Sequence, residues 1–496
     1  MNSPVENIIQ SIYIDKQSKT AVYLQIAQQL THVIQRGELP FKTVLPGTRS
    51  VSRLLHINRN TAVSVYEELA SQGWIEIVAN KGAFIAYQKH KKTTEIADKK
   101  YPSRTNFSLY ESSNLASPYD KSTTTYTFTD GQTDIRLHQS KQYSQWYNAA
   151  LQRASFFNRW NNYVYDRVSF LKVQLCNYLN VHQQFSIQPT NILITRSSEM
   201  SLYLISQLLL KPKSVVLVAD LSNFKANMIF SQLEAKVETI PVDDMGLNID
   251  YIKHNYSKNS IRMVYCNARR HYPTTATLSE KRRKDLLNLA REWNFAIIED
   301  DFDSDFQFDT FPQSALATHD TYGTVVYSGT IGKALFPALE TGFIVAPENL
   351  IAEAKNYYQM IDLQGDLVKE QIVAELIHQG EMYRQTNKKL LLYKERRDAM
   401  VSALAKHFKS LVTFHIPSGG LAFFIHFKKH IPLGALAQQL KLYDISLPKH
   451  LLYQTKSICA IRLGFGHLTI EEISFTIEKF RKAYDDVTKQ LNEKGV

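Results

Sequence analysis

Two periodicities divide the chain. Over residues 23–35, Leu24, Ala27, Leu30 and Ile34 recur at helical spacing, which predicts a helix with one buried face. Residues 48–55 predict a short second helix, with Leu54 and Leu55 inward and Arg49 and Arg53 outward, and His56-Ile57 a tight turn. Asn58 suits an N-cap, because its side-chain oxygen accepts a first-turn amide; it opens a third helix over 59–71. The inward face of that helix is Ala62, Tyr66, Leu69 and Ala70, and its outward N-terminal face is Arg59, Asn60, Thr61 and Ser64. Residues 74–77 and 83–86 then alternate as two strands, with Asn80-Lys81-Gly82 turning between them as a hairpin.

Further along, the alternation gives way to runs that are apolar on both faces, at 192–194, 215–219, 261–265, 295–298 and 324–327. Strands covered on both sides read this way, as in a mainly parallel sheet. Helical patterns lie between them, such as 279–293 with Ser279 as N-cap and a charged outer face. The expected class is α/β with crossover helices. The domains expected are a small helical unit at 19–87, a linker at 88–125 and a large unit at 126–486. The linker sets Lys89, Lys91, Lys92, Lys99, Lys100 and Arg104 among polar residues, and the last ten residues predict a polar, fraying tail.

Composition changes this picture little. At 44% hydrophobic and 21% charged residues the chain is ordinary for a globular protein, which excludes wholesale disorder. No run reaches the ~18 apolar residues of a membrane span, and the first residues lack a secretory signal. Cys176, Cys266 and Cys459 form no CxxC pair, so neither a zinc cluster nor a disulfide framework is expected, and a reducing cytoplasmic location is. A formal charge of +11 is compatible with a polyanion partner.

Helix, helix, turn, helix and basic hairpin make a winged helix-turn-helix. Its third helix presents hydrogen-bond donors at an end whose dipole favours phosphate, which suits the major groove of double-stranded DNA. The DNA-contact candidates are Arg49, Arg59, Asn60, Thr61, Ser64 and, at the wing tip, Lys81. Arg53 and Lys42 read equally well as solvated charges, and a winged helix used only for protein contact is the blander alternative. In the large unit, Asp300 follows one buried strand and Lys333 another, and ligands of such sheets sit beyond the carboxyl ends of the strands. A lysine and a carboxylate there suit a pyridoxal phosphate site: the amine bonds the cofactor aldehyde and the acid keeps the ring nitrogen protonated. On spacing alone, an acidic loop (Glu299, Asp300, Asp301, Asp303, Asp305) and an ordinary loop cation explain the pair equally well.

Residues 19–87 resemble the GntR-type DNA-binding domain through Tyr23-Leu24-Gln25-Ile26, Leu45-Pro46-Gly47-Thr48-Arg49, Asn58-Arg59-Asn60-Thr61-Ala62-Val63, Tyr66-Glu67-Glu68-Leu69 and Gly73-Trp74-Ile75. The large unit resembles the fold-type I aminotransferase domain of MocR/PdxR-type regulators through Tyr272-Pro273-Thr274, Ile298-Glu299-Asp300-Asp301-Phe302-Asp303-Ser304, Gly329-Thr330-Ile331-Gly332-Lys333, Gly419-Gly420-Leu421 and Ile461-Arg462-Leu463-Gly464-Phe465. The resemblance implies a small C-terminal α/β subdomain, pyridoxal 5'-phosphate as cofactor, an amino compound as effector and a homodimer. By position it makes Lys333 the Schiff-base lysine, Asp300 the ring-nitrogen partner and Arg462 the clamp for a substrate carboxylate, with Phe302, Ser198 and Tyr272 at the cofactor. The plainer reading of Arg462 is a surface salt bridge after a strand.

Departures from the family cluster at the cofactor. Phe302 stands where the family has a tyrosine, Gly332 where it has a hydroxyl, and Glu340 where it has an arginine for the phosphate. Arg196-Ser197-Ser198-Glu199 replaces the phosphate turn, Asn223-Phe224 the stacking aromatic, and Tyr165-Asp166-Arg167-Val168-Ser169 a Gly-rich segment. An anion in place of a cation about 4 Å from phosphate exchanges an attraction of about 4 kcal/mol for a similar repulsion at an effective dielectric near 20. Even ~4 kcal/mol in total weakens binding about a thousandfold. Arg196, at an expected helix N-terminus, is the candidate compensation. The expectation is a regulator with a degraded cofactor site, binding pyridoxal phosphate weakly or not at all. The alternatives are a working aminotransferase with an attached DNA-binding unit, against which Phe302, Gly332 and Glu340 argue, and a ligand-independent dimeriser, against which Lys333, Asp300 and Arg462 together argue.

Overall fold

The computed structural model describes residues 3–18, 20–88, 102–109, 123–138, 140–153, 169–309, 313–363 and 365–493. Most of the expected linker and the segment 165–168 lie outside the described residues. The chain divides into two compact units, Met1–Tyr110 and Glu111–Val496.

In the first unit the helix Val22–Arg36 stops at Gly37, whose φ of 84° only a residue without Cβ adopts freely. Its innermost stripe is Ile26, Leu30 and Ile34 at successive four-residue steps, with Ala27 beside it; Leu24 is only half-buried, one position off the expected face. The helices Thr48–Leu54 and Arg59–Ser71 follow, and Ala62, Val65, Tyr66 and Leu69 close the core. The strands Ile75–Val78 and Gly82–Ile85 form the wing, and a strand absent from the sequence reading, Val44–Leu45, pairs with the second of them. Also unforeseen is the helix Pro4–Gln10, upstream of the boundary at 19. Ser3 and Glu6 cap it reciprocally, and Ile9 is fully buried in the same core.

The second unit is built on a seven-stranded sheet. Its order is Ile192–Thr195, Thr341–Val345, Val325–Ile331, Ala296–Asp301, Met263–Cys266, Val215–Ala219, Lys236–Ile240. Thr341–Val345 runs antiparallel to both neighbours and the other pairings from Val325–Ile331 onward are parallel. The strands outrun their apolar cores. Ala296–Asp301 continues through the acids, so Asp300 lies within the strand rather than after it, paired in register with Ser328. Val325–Ile331 likewise continues to within two residues of Lys333. Ser279 sits at the N-cap of Glu280–Trp293 but makes no side-chain cap hydrogen bond.

The C-terminal subdomain is a four-stranded antiparallel sheet ordered Val412–Phe414, Ala422–Phe427, Cys459–Gly464, Leu452–Gln454, packed against the helices Glu381–Phe408, Leu433–Lys441 and Ile470–Glu493. The last of these docks through Phe480, Ala483, Tyr484 and Val487 and carries helix into the expected tail as far as Glu493, where the residues after Val487 are half-buried or exposed; 494–496 lie outside the described residues. Tyr126–Thr127 pairs with Ile445–Ser446, which ties the start of the unit to this subdomain. All three cysteines are free and buried.

Candidate functional site

In the small unit the third helix begins with Asn58 accepting the amide of Asn60 at 2.9 Å. The Tyr66 hydroxyl donates to the Pro46 carbonyl at 2.5 Å, which ties the segment before the second helix to the third. Arg49, Arg59, Asn60 and Lys81 are exposed, and Thr61 and Ser64 are half-buried beside them. Among the described residues no ion pair engages Arg49, Arg59 or Lys81; the pair within this unit is Arg36–Glu38 at 3.9 Å. Lys81 tops the wing, with φ of 63° at Asn80 and 107° at Gly82 turning the chain.

The second unit contains a cavity of about 660 Å³ lined by all six residues singled out there: Lys333, Asp300, Phe302, Ser198, Tyr272 and Arg462. Among the described residues its lining carries five acids (Asp130, Glu199, Asp300, Asp303, Glu340) and five strong bases (Arg196, Lys225, Lys333, Lys369, Arg462), beside His450.

Asp300 forms the floor. Its Oδ2 accepts from the Tyr265 hydroxyl at 2.6 Å, and its carbonyl accepts from the Asn267 amide at 2.7 Å. Its Oδ1 is buried without a partner. Burial pushes the carboxyl up to about 7, against the hydrogen bond from Tyr265, which pulls it down. A buried acceptor with an empty lone pair, on a cavity wall, fits a donor such as a ring N–H. Tyr265 and Asn267 escaped the sequence reading, because a tyrosine inside an apolar run reads as packing.

The rim is different, because its charges already have partners. Lys333 Nζ lies 3.7 Å from Glu340 Oε1, both about three-tenths exposed. Gly332 has φ of 92°, and a Cβ there would meet the Leu339 carbonyl oxygen at 2.8 Å. This backbone therefore excludes the hydroxyl residue expected before the lysine. Arg196, the candidate compensation for Glu340, lines the cavity but is already held by Asp362 and donates to the Gly365 carbonyl at 2.7 Å. Ser197 caps the helix Ser198–Leu209, and the Ser198 hydroxyl faces its neighbour Glu199 at 3.5 Å. Burial raises the Glu199 carboxyl, but Lys225 at 2.5 Å overrides this and brings it down to about 2. Lys369 donates to the Glu340 carbonyl at 2.9 Å, and burial lowers its pKa.

On the opposite wall Arg462 is 4% exposed. Its Nε donates to Asp130 Oδ1 at 2.5 Å and its Nη1 to the Pro273 carbonyl at 2.9 Å, with the Tyr272 ring 4.8 Å from the guanidinium. Tyr272 donates to Asp130 Oδ2 at 2.9 Å and accepts from Tyr453 at 3.3 Å, so its hydroxyl serves this corner. The Phe302 ring meets Tyr272 edge-on at 6.0 Å.

These features define a winged-helix unit joined to a fold-type I aminotransferase-like unit. Residues 22–85 match the model of the bacterial regulatory proteins of the gntR family. The chain is 27% identical to the uncharacterized HTH-type transcriptional regulator YdfD of Bacillus subtilis (strain 168), over 92% of this chain and 95% of that protein. It is 22% identical to the probable rhizopine catabolism regulatory protein MocR of Rhizobium meliloti, over 84% of each. Among solved structures, an archaeal alanine:glyoxylate aminotransferase superposes with a TM-score of 0.65 at 26% identity, covering 73% of this chain and 91% of that one. The chain thus has the organisation of MocR/PdxR-type regulators, a GntR-type DNA-binding domain followed by an aminotransferase-like domain. Among the described residues no helix is long and apolar enough to cross a membrane.

Proposed function

We propose that the chain is a cytoplasmic, DNA-binding transcription regulator whose aminotransferase-like domain receives a small ligand instead of turning over a substrate. The observation that carries this reading is the asymmetry of the cavity. Lys333 and the half-satisfied Asp300 share it, while among the described residues the end expected to hold a phosphate has no uncommitted arginine and presents Glu340.

Pyridoxal phosphate fits the floor better than the rim. Bound there, it supplies an aldehyde that reacts with amines. Lys333 places an amine at the cavity wall, Asp300 Oδ1 offers the acceptor for a ring N–H, and the N-terminus of Ser198–Leu209 with the Ser198 hydroxyl offers donors to the phosphate. Phe302 packs without a hydroxyl to give. Binding is therefore weak, and turnover is not the role. The regulator is a homodimer that presents two third helices to spaced half-sites.

One titration tests this reading. Added pyridoxal phosphate gives the full chain a visible band that needs a large excess to saturate, and Lys333→Ala abolishes the band. Tight, stoichiometric binding with transamination of an amino donor and a keto acid would replace this reading with the enzyme. Retardation of its own promoter no better than of random DNA, at matched salt, removes the regulator.

A further inference from the structure

We infer that Asp130 is a built-in carboxylate that fills the Arg462 clamp, so the cavity takes amines that carry no carboxylate and turns amino acids away. The inference rests on the ligand-binding reading above and names the class of ligand.

The clamp is partly taken before any ligand arrives. Asp130 Oδ1 takes the Arg462 Nε–H, the Pro273 carbonyl takes an Nη1 hydrogen and Asp130 Oδ2 takes the Tyr272 O–H, so the Nε edge through which Arg462 could fork onto an incoming carboxylate is occupied. A guanidinium holds a carboxylate best through two parallel, charge-assisted bonds, and the Nε–H already given to Asp130 is not offered twice. Arg462 is almost wholly buried while the Asp130 side chain is 29% exposed, and both line the cavity. A second carboxylate there meets an ion pair whose positive charge is already offset, and not a free cation.

Asp130 is also fixed from behind. Tyr126–Thr127 pairs with Ile445–Ser446, the Phe128 amide donates to the Ser446 carbonyl at 2.9 Å, and the Phe128 ring is 1% exposed in the core. The Gly464 amide then donates to the Thr129 carbonyl at 2.8 Å. A Cβ at 464 would lie 2.5 Å from the Gly131 amide, so the two backbones touch there. These contacts hold the backbone on both sides of Asp130, so the segment that carries it does not swing away from the cavity.

Maleate, titrated calorimetrically into the full chain without cofactor, tests the clamp directly. The wild type shows no saturable binding at millimolar maleate. Asp130→Ala gains affinity by about tenfold to a hundredfold, the range set by a charge-assisted bond pair. Asp130→Asn, which keeps the shape, gains less, and adding Arg462→Gln to Asp130→Ala removes the gain. Maleate binding equally to wild type and Asp130→Ala, or no gain in either Asp130 variant with an unchanged urea midpoint, overturns the inference. In a second arm the chain is loaded with pyridoxal phosphate: ethylamine shifts the visible band of the wild type, and alanine does so only in Asp130→Ala. Alanine acting as well as ethylamine on the wild type also overturns the inference. Absence of any visible band in the loaded chain fails the ligand reading instead, and the maleate result stands apart from it.

Discussion

The two units handle charge in opposite ways. On the small unit Arg49, Arg59 and Lys81 stand exposed without an ion-pair partner among the described residues, as a surface does that waits for a polyanion. In the cavity of the large unit each rim cation already has a carboxylate or carbonyl against it, and among the described residues only the floor acid has a buried carboxylate oxygen without a partner. Free cations collect phosphates. Paired ones bind a ligand only by giving up an existing partner, which lowers affinity and sharpens selectivity. On the reading proposed above, the basic unit is the strong binder and the cavity the selective one.

The sharpest test of that contrast is at the floor. Asp300→Asn leaves the shape and removes the ionisable acceptor, so the visible band with pyridoxal phosphate is lost, as in Lys333→Ala. The same change stabilises the ligand-free chain. With its carboxyl held up at about 7 against an ordinary 3.8, folded Asp300 keeps a proton that the unfolded chain has released between those values. Stability therefore falls as pH rises from about 4 to about 7, by on the order of 2–4 kcal/mol, and the loss is complete above that range. Urea midpoints should favour Asp300→Asn at pH 8 and converge with the wild type near pH 4. A wild type that is the more stable of the two at pH 8 would show that the floor acid is paid for by contacts not identified at the site.

These groups differ in how far the sequence announces them. The buried strands are legible because an apolar run covered on both sides admits few other structures, and the Asn58 cap is legible because capping is local. Thr341–Val345 is not: five residues with a glycine carry little pattern, and its place is set by neighbours on both sides. The helix Pro4–Gln10 left a usable signal in Ser3 and Glu6, three positions apart. Asp130 left none. Its partner Arg462 is 332 residues away, and nothing in Thr129-Asp130-Gly131 marks the aspartate as facing an arginine. Motif positions locate the cavity, but whether each charge in it is free depends on long-range packing. For that reason Arg196 reads as available from sequence and is held by Asp362 in the fold.

The rim gives the next largest effect. Glu340→Arg replaces the anion near Lys333 with a cation while leaving the Glu340 carbonyl to Lys369. At this exposure the Coulomb gain is discounted, and the affinity for pyridoxal phosphate rises by about tenfold or more. An unchanged half-saturation point would mean that the phosphate does not lie at this side of the cavity.

The remaining effects belong to the small unit, where cations act singly. Arg59→Ala, at the exposed start of the third helix, removes a donor from the helix proposed to read bases, and operator affinity falls by about 1–3 kcal/mol while random-sequence affinity falls less. Lys81→Ala acts otherwise. From the wing tip it reaches the backbone, so its loss weakens binding to operator and random DNA alike and lowers the slope of log affinity against log salt by about 1. Asn58→Ala touches no DNA but costs the helix its cap, about 1 kcal/mol of stability. These three separate the roles because Arg59 and Lys81 are exposed and have no ion-pair partner among the described residues: a change at either leaves no buried charge behind, and its effect is read in DNA binding and not in the urea midpoint. If Lys81→Ala changes specificity and not the salt slope, the wing reads sequence, and the comparison between a collecting surface and a selecting cavity no longer holds for that half of the small unit.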